Sequence, residues 1–197
     1  MIVVVRHGRT AANAGGLLLG RADPPLDDEG LEQARRLGAA CAVLDVARVV
    51  TSPLARCRAT AAAVRAGVGA ASLEVDDRWV ELDYGELDGR PLADVPASTW
   101  AAWRADVTWA PPGGESLAAL GDRVRAACAD LVDEATHRDV VVVSHVSPIK
   151  AAVAWALGVG DEVSWRMWVA PASITRIGVG PAGAPSLRGF NDLAHLT

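Results

Sequence analysis

Three stretches of the chain share one design, an apolar run that ends directly in polar or cationic residues. They are VVVRHG at 3–8, VVTSPLAR at 49–56 and VVVSHVSP at 141–148. If each run is a strand of a parallel sheet, the residues beyond the three carboxyl ends share one crevice, the place where open α/β sheets bind ligands. Arg6, His7, Arg56 and His145 then meet although they lie far apart in sequence. Guanidinium forks match the oxygens of a phosphate, and imidazole can donate a hydrogen bond to it or attack phosphorus. Ser52-Pro53 and Ser147-Pro148 each set a capping hydroxyl before a proline at a first helical position, so two helix amino termini add positive partial charge. The residues alone predict an anion site. They leave open phosphate binding, phosphoryl transfer and the chemistry of another anion.

The elements that must hold these residues follow from periodicity. Apolar, β-branched runs predict strands over 2–5, 47–51, 72–75, 140–144 and 173–179, with a last one over 186–190. Three- and four-residue apolar spacing predicts helices over 27–44, 53–66, 115–136 and 148–157. Such alternation indicates the α/β class, a three-layer αβα sandwich around a mainly parallel sheet. The interval 85–114 differs, holding Pro91, Pro96, Pro111, Pro112, Trp100, Trp103 and Trp109 with little strand pattern. It reads as a lid-like insertion of short helices within a single domain over 1–197.

Composition narrows the functional classes. At 197 residues and 51% apolar content, one domain can bury roughly 70% of its unfolded surface. Cys41, Cys57 and Cys128 are odd in number and include no CxxC pair, which argues against a disulfide framework or a zinc site. No HxxEH or comparable spacing occurs, so neither a metal nor another cofactor is expected. A net charge of −5 disfavours nucleic acid or an anionic membrane as partner. Runs such as 140–143 fall far short of the ~20 residues that cross a bilayer, and no secretion signal is visible after Met1. A soluble, cytoplasmic protein is expected, and the exposed share of its seven tryptophans could form a homodimer interface.

Taken in order, the motifs resemble the histidine phosphatase superfamily over nearly the whole chain. RHGRTAAN (6–13) is similar to its signature triplet with a downstream asparagine, and GRADPPLDDEGLEQA (20–34) to the segment that ends in a Gly-x-x-Gln-Ala helix. SPLARCRATA (52–61) resembles the pattern that supplies a second phosphate-binding arginine, here Arg56. VELDYGELDG (80–89) looks like the acid-bearing segment, with Glu81 at the place of the catalytic glutamate. PPGGES (111–116) and VVVSHVSP complete the series. Three departures stand out: Arg9 after the triplet, Leu87-Asp88-Gly89 at the end of the acid segment, and Val146-Ser147 after the second histidine.

The resemblance implies a phosphoglycerate mutase-like fold and a division of labour. His7 is the nucleophile that carries the phosphoryl group. Arg6, Arg56, His145 and Asn13 hold its oxygens, with His145 mainly a cationic donor, and Arg21 lies at the rim of the site. Glu81 is the general acid and then the general base, with Asp83 and Asp88 as rival carboxylates. The expected activity is metal-independent hydrolysis of a small phosphorylated metabolite. One alternative is a cofactor-dependent phosphoglycerate mutase, although the interval after the acid segment offers only isolated Arg90 and Arg104 where mutases carry paired arginines. The other is a phosphate-binding protein without catalysis, whose mark would be a replaced nucleophile, arginine or acid. Trp100 and Trp103 are expected to pack one helix face, Trp155, Trp165 and Trp168 to be core or interface, and Cys57 to be a small packed residue. An apolar lid hints at substrates with an aromatic or apolar part.

Overall fold

The computed structural model describes residues 1–69, 71–180 and 182–197. In chain order the strands are β1 (Ile2–Arg6), β2 (Val46–Thr51), β3 (Ser72–Val75), β4 (Asp139–Ser144), β5 (Ile174–Val179) and β6 (Pro185–Asp192). The helices are α1 (Ala11–Ala14), α2 (Asp28–Cys41), α3 (Ala55–Val68), α4 (Ala97–Ala105), α5 (Leu117–His137) and α6 (Val146–Leu157). The sheet runs β3-β2-β4-β1-β5-β6. Its β3, β2, β4 and β1 are parallel, while β5 and β6 add antiparallel at one edge, so the sheet is mostly parallel as expected. Every predicted strand and long helix is present, with ends displaced by a few residues.

Period-two alternation on the buried strands builds two cores. Ile2, Val4, Val50, Val140 and Val142 pack with α5 and α6 on one face. Val3, Val5, Val49, Val141 and Val143 pack with α2 and α3 on the other. This is the three-layer sandwich. All three cysteines are buried and unpaired.

Two helix starts depart from expectation. Prolines at 53 and 148 do not occupy first helical positions: α3 begins at Ala55 and α6 at Val146. Ser52 does not cap α3, because its Oγ lies 2.7 Å from His145 Nε2. The Asp23 carboxylate takes that place and accepts the Ala55 N–H at 2.9 Å. Ser147 falls inside α6, where its own backbone N–H needs an acceptor from outside the helix.

The interval 85–114 holds short 3-10 turns at Gly85–Leu87 and Leu92–Asp94, followed by α4. Trp103 of α4 is buried in the α5/α6 core, with Trp100 and Trp109 packed against it. No helix among the described residues is long and apolar enough to cross a membrane.

Candidate active site

Strand register assembles the centre. β1 and β4 are parallel neighbours with Arg6 paired to Ser144, so the next residues, His7 and His145, emerge side by side. The His7 N–H donates to Ser144 O at 3.0 Å, and the two imidazole rings meet edge to face with centroids 5.1 Å apart. β2 lies on the far side of β4, and the Ser52 N–H donates to Val143 O at 3.0 Å. The three segments that share a sequence design therefore end on three adjacent strands.

Gly8 explains the triplet's last position. A side chain there would collide with the carbonyl of Gly30 in α2, and one on Gly30 would collide with the backbone of Arg9. Gln33 Oε1 accepts the Arg9 N–H at 2.9 Å, so the Gly-x-x-Gln helix docks directly on the loop after His7. The Arg9 side chain pairs with Asp27 and Glu29, away from the centre. Its departure from the family pattern is thus a local helix contact.

A cavity of about 310 Å³ opens over this centre, within the size range of small-ligand sites. Arg6, His7, Asn13 and Glu81 line it; Arg56 and His145 are fully buried behind that lining. Arg21 is not brought in. Its guanidinium pairs with Glu115 Oε2 at 3.6 Å, and its backbone N–H donates with those of Gly20 and Ala22 to the Asp88 carboxylate. That carboxylate fixes the loop whose Gly20 and Ala22 carbonyls accept from the Arg56 guanidinium at 2.8 and 2.7 Å. Asp88 therefore positions the loop under Arg56. Asp83 accepts the Gly85 N–H, and neither acid lines the cavity.

His7 is oriented by its own chain. Nδ1 lies 2.7 Å from Gly8 O; a carbonyl can only accept, so Nδ1 carries the proton and Nε2 of the neutral ring keeps its lone pair. Burial, with Arg6 and Arg56 nearby, holds the His7 pKa well below the usual imidazole value. His145 is depressed in the same way by burial, His7, Arg56 and Arg6. Burial first, and then these positive neighbours, disfavour the expected positive charge on His145. Arg6 is lowered to about 10 by burial, against the attraction of Glu81. The Nε–H groups of Arg6 and Arg56 are both buried, without a hydrogen-bond partner among the described residues. Cys57 Sγ lies 3.3 Å from His145 Nε2, but burial pushes its thiol pKa up, which leaves it a packed thiol.

These histidines predict an acid-sensitive fold. When unfolded they protonate near 6.5, whereas folding holds them neutral. Below 6.5 the unfolded chain binds more protons, so stability is full above that pH and is lost as pH falls toward the depressed folded values. Each contributes up to about 1.4 kcal/mol per pH unit in that window. The urea midpoint is expected to fall more steeply from pH 7 to 5 in the wild type than in His7→Asn. Equal slopes would contradict a buried neutral His7.

Glu81 arrives on the segment that crosses the strand ends after β3. Ser144 Oγ donates to Trp79 O at 2.7 Å, and Arg123 of α5 donates to Glu81 O at 3.3 Å while pairing with Glu115. The Glu81 carboxylate accepts the Leu82 N–H at 2.7 Å and the Ser147 N–H at 3.2 Å. The latter is one of the donors that the first turn of α6 leaves without an intrahelical acceptor. Asn13 accepts from the Thr10 N–H and Oγ through Oδ1, anchoring its amide at the cavity wall.

Sequence reasoning missed several lining residues. Trp155 and Trp165 pack against the core as expected, but Trp165 also lines the cavity, with Trp168, beside Trp100, Trp103 and Tyr84. Trp100 and Trp103 stack at 5.7 Å, and Trp165 meets Trp103 edge-on at the same separation. Lys150, one turn into α6, also lines it. No local pattern marks Trp165 and Trp168 as lining; Lys150 carried one signal, its three-residue spacing from Ser147. Among the described residues, no group of three or more His, Cys, Asp or Glu side chains could hold a metal ion.

The family model of the histidine phosphatase superfamily (branch 1) matches residues 2–193. A bifunctional protein of Mycobacterium tuberculosis is 33% identical over 202 residues, covering 99% of this chain and 54% of that protein. The chain thus spans about half the length of that relative. The probable phosphoglycerate mutase GpmB of Salmonella choleraesuis is 31% identical over 181 residues, covering 89% of this chain and 83% of the relative. A solved mycobacterial glucosyl-3-phosphoglycerate phosphatase, complexed with VO3, is 30% identical, with a TM-score of 0.87 over 98% of both chains. The chain, matched from residue 2 to 193 and gathering an acid, two arginines and two histidines at or beside adjacent strand ends, belongs to the histidine phosphatase superfamily, branch 1.

Proposed function

We propose that the chain is a metal-independent phosphatase that hydrolyses a small phosphomonoester through a phosphohistidine on His7. One observation carries this reading: a buried His7 with its Nδ1 proton held by Gly8 and its pKa pushed down by burial, beside Arg6 at the cavity wall and the charge of Arg56 behind it. The relative solved with VO3, a phosphate-like oxyanion, supports the same assignment.

In the first step the Nε2 lone pair of His7 forms the N–P bond while the ester P–O bond breaks. The departing alcohol oxygen keeps the bonding pair and takes a proton from Glu81. Arg6 and the Asn13 amide hold the phosphoryl oxygens from the cavity wall. Arg56 and His145 act from behind, Arg56 by its charge and His145 by becoming a better donor when a dianion offsets the positive field. In the second step Glu81 takes a proton from water, whose oxygen bonds to phosphorus as the P–N bond breaks. The pair returns to Nε2, inorganic phosphate leaves, and both side chains regain their starting forms.

Phosphate release from a panel of phosphomonoesters, measured in excess chelator, tests the reading. Undiminished release is expected. Activity lost to chelator and restored by a divalent cation would overturn metal independence. The 31% identity to a probable phosphoglycerate mutase favours a second reading, phosphoryl return to a substrate hydroxyl. Exchange of phosphate between phosphoglycerate positions without net release would establish that instead.

A further inference from the structure

Lys150 is the chain's single lysine among nineteen basic residues. It sits on α6 three residues after Ser147 and four after Val146, and those spacings share one helix face. All three side chains line the cavity. Lys150 is half-buried, and among the described residues no acidic group lies within ion-pairing distance of it and no acceptor receives its hydrogen bonds. Most arginines of the chain, by contrast, are paired, Arg9, Arg48, Arg78, Arg123 and Arg125 among them. A partly desolvated ammonium without a partner is costly unless an anion joins it.

Its position says which part of a ligand it meets. The transferring phosphoryl group belongs at His7, Arg6 and Asn13, and the acid that protonates the leaving oxygen is held at the Ser147 N–H. Lys150 lies nearly one helical turn beyond that N–H, about 4.5 Å further along the axis, and lines the same cavity. Trp100, Trp103, Trp165 and Trp168 line that cavity too.

We propose that Lys150 is a specificity-determining residue that binds a second anionic group, carboxylate or phosphate, on the alcohol part of the substrate, whose apolar face rests on the tryptophans. This inference rests on the phosphatase reading for the identity of the leaving group. It defines the substrate class as phosphomonoesters of anionic alcohols with a flat or apolar body.

The test compares carboxyphenyl phosphates (3- and 4-isomers), their methyl esters and a phenylene bisphosphate. A hydrogen bond to a charged group is worth about 1.5–3 kcal/mol, or roughly tenfold to a hundredfold in affinity. The wild type is expected to prefer the carboxylate over its ester by at least about tenfold in kcat/KM, mainly through KM. Lys150→Met should erase that ratio and Lys150→Arg should largely keep it. Preference for the bisphosphate over the carboxylates would identify phosphate as the second group. A ratio near one in the wild type, or one untouched by Lys150→Met, overturns the proposal. Calorimetric binding of carboxybenzylphosphonate against benzylphosphonate, on the wild type and Lys150→Met, reads the subsite without turnover. If no ester is hydrolysed but Lys150 still discriminates these phosphonates, the phosphatase reading fails while the subsite stands; if it does not discriminate them, the subsite fails whatever is hydrolysed.

Discussion

His7→Ala is expected to lose activity on the order of 10⁶-fold, the scale seen when a covalent nucleophile is deleted from a hydrolase. The loss should lie in kcat, since Arg6, Asn13 and Glu81 still line the cavity and Arg56 still stands behind it. The same variant should acquire no acid-labile, base-stable label when mixed with a phosphate donor and quenched, whereas the wild type should acquire one per chain. Removing the ring also removes the Nδ1 bond to Gly8 O and the edge contact with His145. Thermal unfolding must therefore confirm that the variant folds, and His7→Asn offers a more conservative replacement. Retained turnover, or a label on the alanine variant, would end the assignment of His7 as nucleophile.

Glu81→Gln should separate substrates by leaving group. Positioned general acid–base catalysis contributes about 10²–10⁴-fold, so esters of ordinary alcohols should slow by that order. Nitrophenyl phosphate, whose leaving group departs without a proton, should lose much less in the first step. Glutamine is isosteric, and its carbonyl oxygen can still accept from Leu82 and Ser147, so the difference reports proton transfer and not a lost anchor. Because Glu81 also activates water, nitrophenyl phosphate should give a burst of one nitrophenol per chain followed by a slow steady rate. A uniform loss of a few-fold on both substrate types, with no burst, would remove Glu81 from the mechanism. Asp88→Asn should give no such leaving-group dependence, since Asp88 serves the loop that accepts from Arg56.

Much of the architecture was legible because buried strands carry their signal locally. Runs such as VVVV at 140–143 read as strands by composition alone, and their neighbours by helical spacing. The helix starts were misread for a reason that is not local. Ser52 has the right residue type for a cap, but in the fold its hydroxyl meets His145, and Asp23 from a distant loop caps α3 instead. The forces on the charge of His145 are likewise not local, since it is disfavoured by burial in the assembled fold and by positive groups from other strands and helices.

By itself the sequence determined the residue types at the strand ends and the order in which they occur. Arg6, His7, Arg56, Glu81 and His145 could be chosen from it because each follows a strand or sits in a recognisable motif. Tertiary structure alone decided how they divide the space. The Arg6 to Ser144 register sets His7 beside His145, Arg56 and His145 stand behind the cavity, and Arg21 turns out to Glu115. It alone made Trp165, Trp168 and Lys150 into lining residues. The physical reason is that strand and helix periods are properties of neighbouring residues, whereas which side chains share a cavity depends on register and packing between elements far apart in the chain.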